Sequence, residues 1–137
     1  MFFKKKENDD KSSDLEKIAA LLIHAAKIDE NYTQKEEEII KETIVEISDS
    51  KLNIENVINN AKNIENNNNQ ILDFTKEAKN MSNENKIKLV ESLWKIIYSN
   101  NEADIYETNL MRRLAGLLYI DSKIMGDIKE KIKNEKS

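Results

Sequence analysis

The fold is decided by a segment that occurs twice, as LLIHAAKIDENYTQKEEEII at residues 21–40 and as SLWKIIYSNNEADIYETNLM at residues 92–111. Each copy has an apolar stretch with helical spacing, then a polar turn, then a second helical stretch. The second stretch opens with a capping residue, Thr33 or Asp104, followed three positions later by Glu36 or Glu107. The sequence therefore predicts two copies of a helix-turn-helix unit.

The composition favours one all-helical domain. A chain of 137 residues has the size of a single domain with one core. It contains 39% hydrophobic and 35% charged residues, two glycines and no proline, a composition rich in helix formers and poor in sheet punctuation. We therefore predict an all-α fold.

Hydrophobic spacing and capping signals predict about seven helices. Residues 1–12 are polar and are expected to form a disordered or frayed tail, whereas residues 13–137 form the helical domain, whose first helix begins at Ser13. Asparagine competes with helix formation, so the run Asn66 to Asn69 predicts a loop between short helices at about 54–64 and 70–80.

The strongest apolar stripe follows the predicted cap Ser82 and marks the expected central helix. Its residues are Ile87, Val90, Leu93, Trp94 and Ile97. A last helix at about residues 121–133 is expected to face inward through Ile124, Ile128 and Ile132. Trp94 lies on the central stripe, which favours a core position over a binding pocket.

Several functional classes are disfavoured by the residue inventory. The chain has no cysteine and one histidine, so a disulfide, a thiolate zinc site and a thiol nucleophile are excluded. It has no glycine-rich phosphate loop, and we do not expect an enzyme. A net charge of −4 argues against a nucleic-acid binder, which needs a basic face.

The chain lacks an apolar stretch of the roughly 20 residues that span a bilayer, so we expect a cytoplasmic protein. Its first residues still combine aromatic rings with positive charge, which predicts either a frayed end or a weak contact with an anionic membrane surface. The residues of this segment are Phe2, Phe3, Lys4, Lys5 and Lys6.

Negative charge is concentrated around the first polar turn. Residues 29–46 hold seven acidic side chains against Lys35 and Lys41, a surplus of five negative charges. Such a surface attracts cations or a basic protein partner. The sequence does not identify that partner.

A further pattern joins the two copies. A glutamate lies seven residues after the first polar residue of each turn, from Asp29 to Glu36 and from Asn100 to Glu107. With the stretches LWKIIY at residues 93–98 and YETNLMRRLA at 106–115, this pattern resembles the tellurite-resistance TerB family over about residues 14–120. That family is also similar to the N-terminal domain of a DnaJ-like co-chaperone.

The resemblance implies an all-helical fold with an internal pseudo-twofold helix-turn-helix repeat and metal-binding acidic residues at the helix corners. It also implies a role in stress response or tellurite resistance. The positions that match are Asp29, Glu36, Asn100 and Glu107, which would hold a divalent cation such as Ca²⁺, Mg²⁺ or Mn²⁺. The chain departs from the family pattern at Asn100, where Asp is usual, and at Glu30 and Asn101, where Gly is expected. An amide in place of a carboxylate predicts weaker cation binding.

Two other interpretations remain open. Glu36 and Glu107 occupy the position of a capping-box glutamate, where a carboxylate is favoured without any ligand. In that case the protein is a structural helical adapter with no metal site. The alternating polar residues of each turn also resemble an EF-hand, but the required glycine and the twelfth-position glutamate are missing in both copies.

Overall fold

The computed structural model describes the backbone of residues 2–27, 32–48, 53–67, 75–76, 78–99 and 105–136, with side chains from residue 14 to 135 except at 105–107. In these residues the regular structure is α-helical throughout. Six helices are bounded: α1 (Phe2–Ala26), α2 (Gln34–Ile47), α3 (Ile54–Asn67), α4 (Asn83–Tyr98), α5 (Ile105–Leu117) and α6 (Ser122–Lys136). Residues 75, 76 and 78 are also helical, within the predicted helix 70–80. The all-α prediction is confirmed.

Two helix bounds differ from the predicted ones. The backbone of α1 is helical from Phe2, so Ser13 lies inside the helix and does not begin it. The helix α3 continues to Asn67, so the asparagine run starts in a helix and not in a loop. Packing of α3 against α1 and α2 outweighs the weak helix propensity of asparagine. The position of the domain boundary near residue 13 stays a prediction.

The C-terminal half of α1 is the most enclosed part of the described fold. Residues 18–26 are buried at every position except His24, so this part of α1 is enclosed by the fold on all sides. It packs against α2, α3 and α4. No helix in the described residues has both the length and the apolar character that crossing a bilayer requires.

The helix α4 packs against α1, α2 and α6 and supplies the second half of the core. Trp94 is buried, as its stripe predicted, and Ser82 caps the helix by accepting a hydrogen bond from the Asn85 amide at 3.2 Å. The predicted inward position of Ile87 is wrong, because Ile87 is 38% exposed and Leu89 is fully buried instead. Val90, Leu93, Trp94 and Ile97 are buried as predicted, so only the first position of the stripe differs.

The first predicted position of the α6 stripe also differs from the structure. Ile128 and Ile132 are buried as predicted, whereas Ile124 is 43% exposed and Met125 takes the inward position. The 125, 128 and 132 spacing satisfies a helical stripe as well as the predicted 124, 128 and 132 spacing does. Periodicity alone therefore could not separate the two.

One buried polar contact ties α2 to α4. The hydroxyls of Thr43 and Ser92 are hydrogen-bonded to each other, and both residues are buried. The Thr43 hydroxyl also donates to the Ile39 carbonyl at 2.8 Å, so the proton between the two hydroxyls comes from Ser92. Thr43 is thus the acceptor of the pair.

Because Ser92 donates this hydrogen bond and Thr43 accepts it, removing one or the other hydroxyl should lower stability by different amounts. Thr43→Val removes the acceptor of a buried donor and should lower the free energy of unfolding by about 1–3 kcal/mol, whereas Ser92→Ala should cost about 0.5–1.5 kcal/mol. The double variant should be less destabilised than the sum, because no buried donor is left without an acceptor. Denaturant unfolding of the three variants measures this, and strictly additive losses would contradict the assignment.

Candidate functional site

The site is built around the start of α2, where the polar turn of the first copy ends. Thr33 has an extended backbone (φ −100°, ψ 162°) and its hydroxyl accepts a hydrogen bond from the Glu36 amide at 3.2 Å. The Glu36 carboxylate accepts from the Thr33 amide at 2.8 Å and from the Thr33 hydroxyl at 2.9 Å. The predicted capping box of the first copy is therefore confirmed, and Glu36, 1% exposed, acts inside it.

The next residue, Glu37, forms the first ion-pair group of the site. Its carboxylate contacts the Lys62 ammonium at 2.6 Å, the Lys41 ammonium at 3.7 Å and the Tyr32 hydroxyl at 3.3 Å. The hydrogen bond from Lys62 holds the pKa of Glu37 below its ordinary value, although partial burial opposes this shift. Burial and the neighbouring Glu37 carboxylate both raise the pKa of Tyr32. This group links α2 to α3.

A second ion-pair group links the end of α1 to α3. Glu65 is 5% exposed, and one of its oxygens lies 2.6 Å from the Lys27 ammonium. Its other oxygen lies 3.3 Å from Nδ1 of His24. Lys27 also donates to the Asn66 side chain at 3.1 Å. A buried carboxylate without such cations would be strongly destabilising, so this group is part of the structure of the corner.

The two groups face a shared cleft of about 410 Å³, which we call the corner cleft. Its lining is polar except for Ile23 at the base. The residues of the lining are Ile23, Lys27, Tyr32, Thr33, Gln34, Glu37, Lys62, Glu65 and Asn66. Two carboxylates, Glu37 and Glu65, and two partly exposed lysines, Lys27 and Lys62, belong to this lining, so the cleft suits a charged or polar group of a partner.

The outer side of α2 carries unpaired negative charge. Glu38, Glu42 and Glu46 are exposed and spaced four residues apart, which places them on one face of the helix. None of the three has an ion pair within 4.0 Å in the described part of the chain. Val45, which is 57% exposed, lies beside Glu42 and Glu46. We call these four residues the acidic face.

The acidic face is not explained by stability. Glutamates four residues apart repel each other and lower helix stability by roughly 0.2–0.5 kcal/mol per pair. An exposed valine gains nothing from burial. A helix surface that combines three like charges with an apolar side chain fits a basic, partly apolar partner surface.

Three of the four predicted metal ligands lie outside the side chains that the structure describes. Asp29 and Asn100 lie outside the described residues, and so does the Glu107 side chain, although its backbone is in the first turn of α5. Glu36 is described and is held in the capping box. Among the side chains that the structure describes, no group of three or more acidic, histidine or cysteine residues could hold a metal ion. Convergence of the two corners stays a prediction.

Sequence reasoning missed Glu65 and its partners. One signal could have found it, because Glu65 follows the buried Ala61 by four residues and therefore lies on the inward face of α3. No local signal could pair it with Lys27 and His24, which belong to a helix distant in sequence. The pairing exists only because α1 and α3 pack together.

Comparison with known proteins supports the predicted family. The family model of tellurite resistance protein TerB matches residues 15–130, which is most of the chain. The predicted resemblance is thereby confirmed. No curated protein and no solved structure shows significant similarity to the chain.

The ion pair of Glu37 predicts a pH-dependent stability. The pKa of Glu37 is lowered in the folded protein, so the pair stabilises the fold above the ordinary value of 4.5 and this contribution disappears as the pH falls through the folded-state pKa. Glu37→Gln should therefore be less stable than the wild type at pH 7, and the difference should shrink below pH 4.5 and vanish once the pH is low enough to protonate the wild-type carboxyl.

Thermal unfolding at a series of pH values measures this difference. Glu84→Gln is the matched control, because the Glu84 side chain is 82% exposed and its nearest cation, Lys88, lies 3.8 Å away. The control should differ little from the wild type at any pH. A Glu37→Gln difference that persists unchanged in acid would show that the ion pair is not its cause.

Proposed function

We propose that this chain, which belongs to the tellurite-resistance TerB family, is a non-catalytic module that recruits a basic protein partner through the acidic face and the corner cleft. TerB is a family of non-catalytic helical domains. The observation that carries the proposal is the acidic face on α2, whose three glutamates have no ion pair among the described residues and whose Val45 is exposed. The proposed setting is the stress or tellurite response of the family.

The corner cleft supports the same proposal. It opens next to the start of α2, where Gln34 and Thr33 form part of its lining. Its lysines, Lys27 and Lys62, keep about 40% of their side-chain surface in solvent, at 40% and 43%. A lysine or arginine of the partner can take the place of Lys62 at Glu37 or of Lys27 at Glu65, while the displaced ammonium moves into water. The proposed partner surface is an amphipathic basic helix with lysine or arginine on one side and leucine on the other.

Neutralising the acidic face should separate binding from stability. The triple variant Glu38→Gln, Glu42→Gln, Glu46→Gln should have a free energy of unfolding equal to that of the wild type or up to about 1 kcal/mol higher, because the repulsion between the glutamates is removed. Its affinity for a synthetic peptide of leucine, lysine and arginine should fall at least tenfold, measured by calorimetry at low salt. Wild-type binding should also weaken as salt is added.

The control for this experiment has the same change in net charge elsewhere on the chain. Glu84→Gln, Glu130→Gln and Glu135→Gln alter three exposed residues on α4 and α6. If this control weakens binding as much as the acidic-face variant, the peptide responds only to net charge and the proposal is wrong. Failure of the wild type to bind the peptide would also reject it.

A divalent cation is the second candidate ligand of the corner. The proposed ligands are Asp29, Glu36, Asn100 and Glu107, on the strength of the two polar turns and the glutamate that opens each second helix. Glu36 could join such a site only by sharing its carboxylate between the cation and the Thr33 amide.

Contact of residues 2–6 with an anionic membrane surface is a further proposal that this segment's composition supports.

Metal titration tests the second candidate. Millimolar Ca²⁺, Mg²⁺ or Mn²⁺ should raise the melting temperature saturably, and Asp29→Asn combined with Glu107→Gln should abolish this rise. Thr33→Ala is the control, because it weakens the capping box by about 0.5–2 kcal/mol without removing a proposed ligand. An equal response of wild type and the Asp29, Glu107 variant would contradict the cation site.

A further inference from the structure

A second cavity of about 410 Å³ lies between α4, α5 and α6 and shares no residue with the corner cleft. Its walls are mainly apolar, with two methionines that adapt to the shape of a ligand. The residues of the lining are Trp94, Thr108, Met111, Arg112, Ala115, Gly116, Ile120, Ser122, Met125, Gly126 and Lys129. Its volume falls within the roughly 300–1,000 Å³ of small-molecule sites.

The charge of this cavity is opposite to the charge of the chain. The protein carries a net charge of −4, yet the lining contains two cations, Arg112 and Lys129, and no acidic residue. Neither cation has an ion-pair partner among the described side chains. A cavity that is apolar inside and has two uncompensated cations is complementary to a molecule with an apolar body and one negative charge.

Trp94 adds a second polar feature to the wall. The Lys129 ammonium lies 5.5 Å from the centroid of the Trp94 ring, which holds this cation over the cavity wall. The buried indole N–H of Trp94 has no hydrogen-bond acceptor within the described part of the chain. Buried donors of this kind are rare in folded proteins, because each costs free energy.

The two glycines of the chain both line this cavity. A Cβ atom added at Gly116 or Gly126 would meet no heavy atom within 4 Å outside its own helix. Neither glycine has a positive φ, so neither is needed for the backbone. Glycine inside a helix lowers stability relative to alanine by about 1 kcal/mol. At Gly116 and Gly126 the absence of a side chain leaves space in the cavity.

We propose that this cavity binds a small amphipathic monocarboxylate, with its apolar chain between α4, α5 and α6 and its carboxylate between Arg112 and Lys129. A free carboxylic acid of medium chain length fits the cavity volume and the charge. The site is distinct from the acidic face and does not depend on the proposed function.

Fluorescence of Trp94, the single tryptophan of the chain, reports directly on occupancy. Titration of the full chain with decanoate, below its micelle concentration, should change this fluorescence saturably. Decanol should bind more weakly, and decyltrimethylammonium, with the same chain and a positive head group, should not bind. Arg112→Gln and Lys129→Gln should each weaken decanoate binding about tenfold while leaving decanol binding unchanged.

Two kinds of control keep the result specific. Arg113→Gln and Lys123→Gln remove exposed cations of the same helices that do not line the cavity, and they should leave decanoate binding within about twofold of the wild type. Gly126→Leu should fill the cavity and abolish binding of both decanoate and decanol, while circular dichroism shows that the fold is kept.

Several results would overturn the proposal. They are a fluorescence signal that does not saturate, equal binding of decyltrimethylammonium, an equal loss in the Arg113 or Lys123 variant, and undiminished binding by Gly126→Leu. Binding to anionic phospholipid vesicles without binding of free decanoate would assign the cations to a membrane surface instead. That outcome would equally overturn the proposal.

Discussion

The described structure depends on the burial of one stretch of α1 on all of its sides. Residues 18–26 are almost continuously apolar and almost completely buried, so this helix must be surrounded. The helices α2, α3 and α4 do so, and their apolar stripes are directed at it. A segment enclosed on all sides leaves little room for charge. The corner cleft lies just past its end, where Lys27 and Thr33 are part of the lining.

This arrangement explains how three carboxylates are held at the corner. Glu36 is satisfied by the helix start, Glu37 by lysines from α2 and α3, and Glu65 by groups from α1. Glu37 ties α2 to α3 and Glu65 ties α3 to the end of α1, whereas Glu36 acts within the start of α2. Charge that has no structural task is found on the outer face of α2, where Glu38, Glu42 and Glu46 reach solvent. The division between bonded and unbonded glutamates is the reason to assign function to the second group.

The sequence predicts the helices better than the site. Signals that act within one turn were sufficient for the caps at Thr33 and Ser82, because capping is local. The burial of Leu89 instead of Ile87 and of Met125 instead of Ile124 was not predictable, since both choices fit a helical pattern. Contacts between distant helices, such as Glu65 with Lys27, depend on tertiary packing that no local signal encodes. The cavity beside Trp94 was missed for the same reason, because a core tryptophan and a cavity-wall tryptophan share one helical position.

The acidic face and the cavity beside Trp94 carry charges of opposite sign. The acidic face and corner cleft lie on α1, α2 and α3, whereas the cavity with Arg112 and Lys129 lies on α4, α5 and α6. The proposed function requires the acidic face of α2 to be a recognition surface. This is tested by amide chemical-shift mapping of the full chain during titration with the leucine, lysine and arginine peptide. Shifts should be concentrated on residues 33–46 and on the neighbouring part of α3. Shifts spread evenly over the exposed glutamates of α2, α4 and α6 would contradict it.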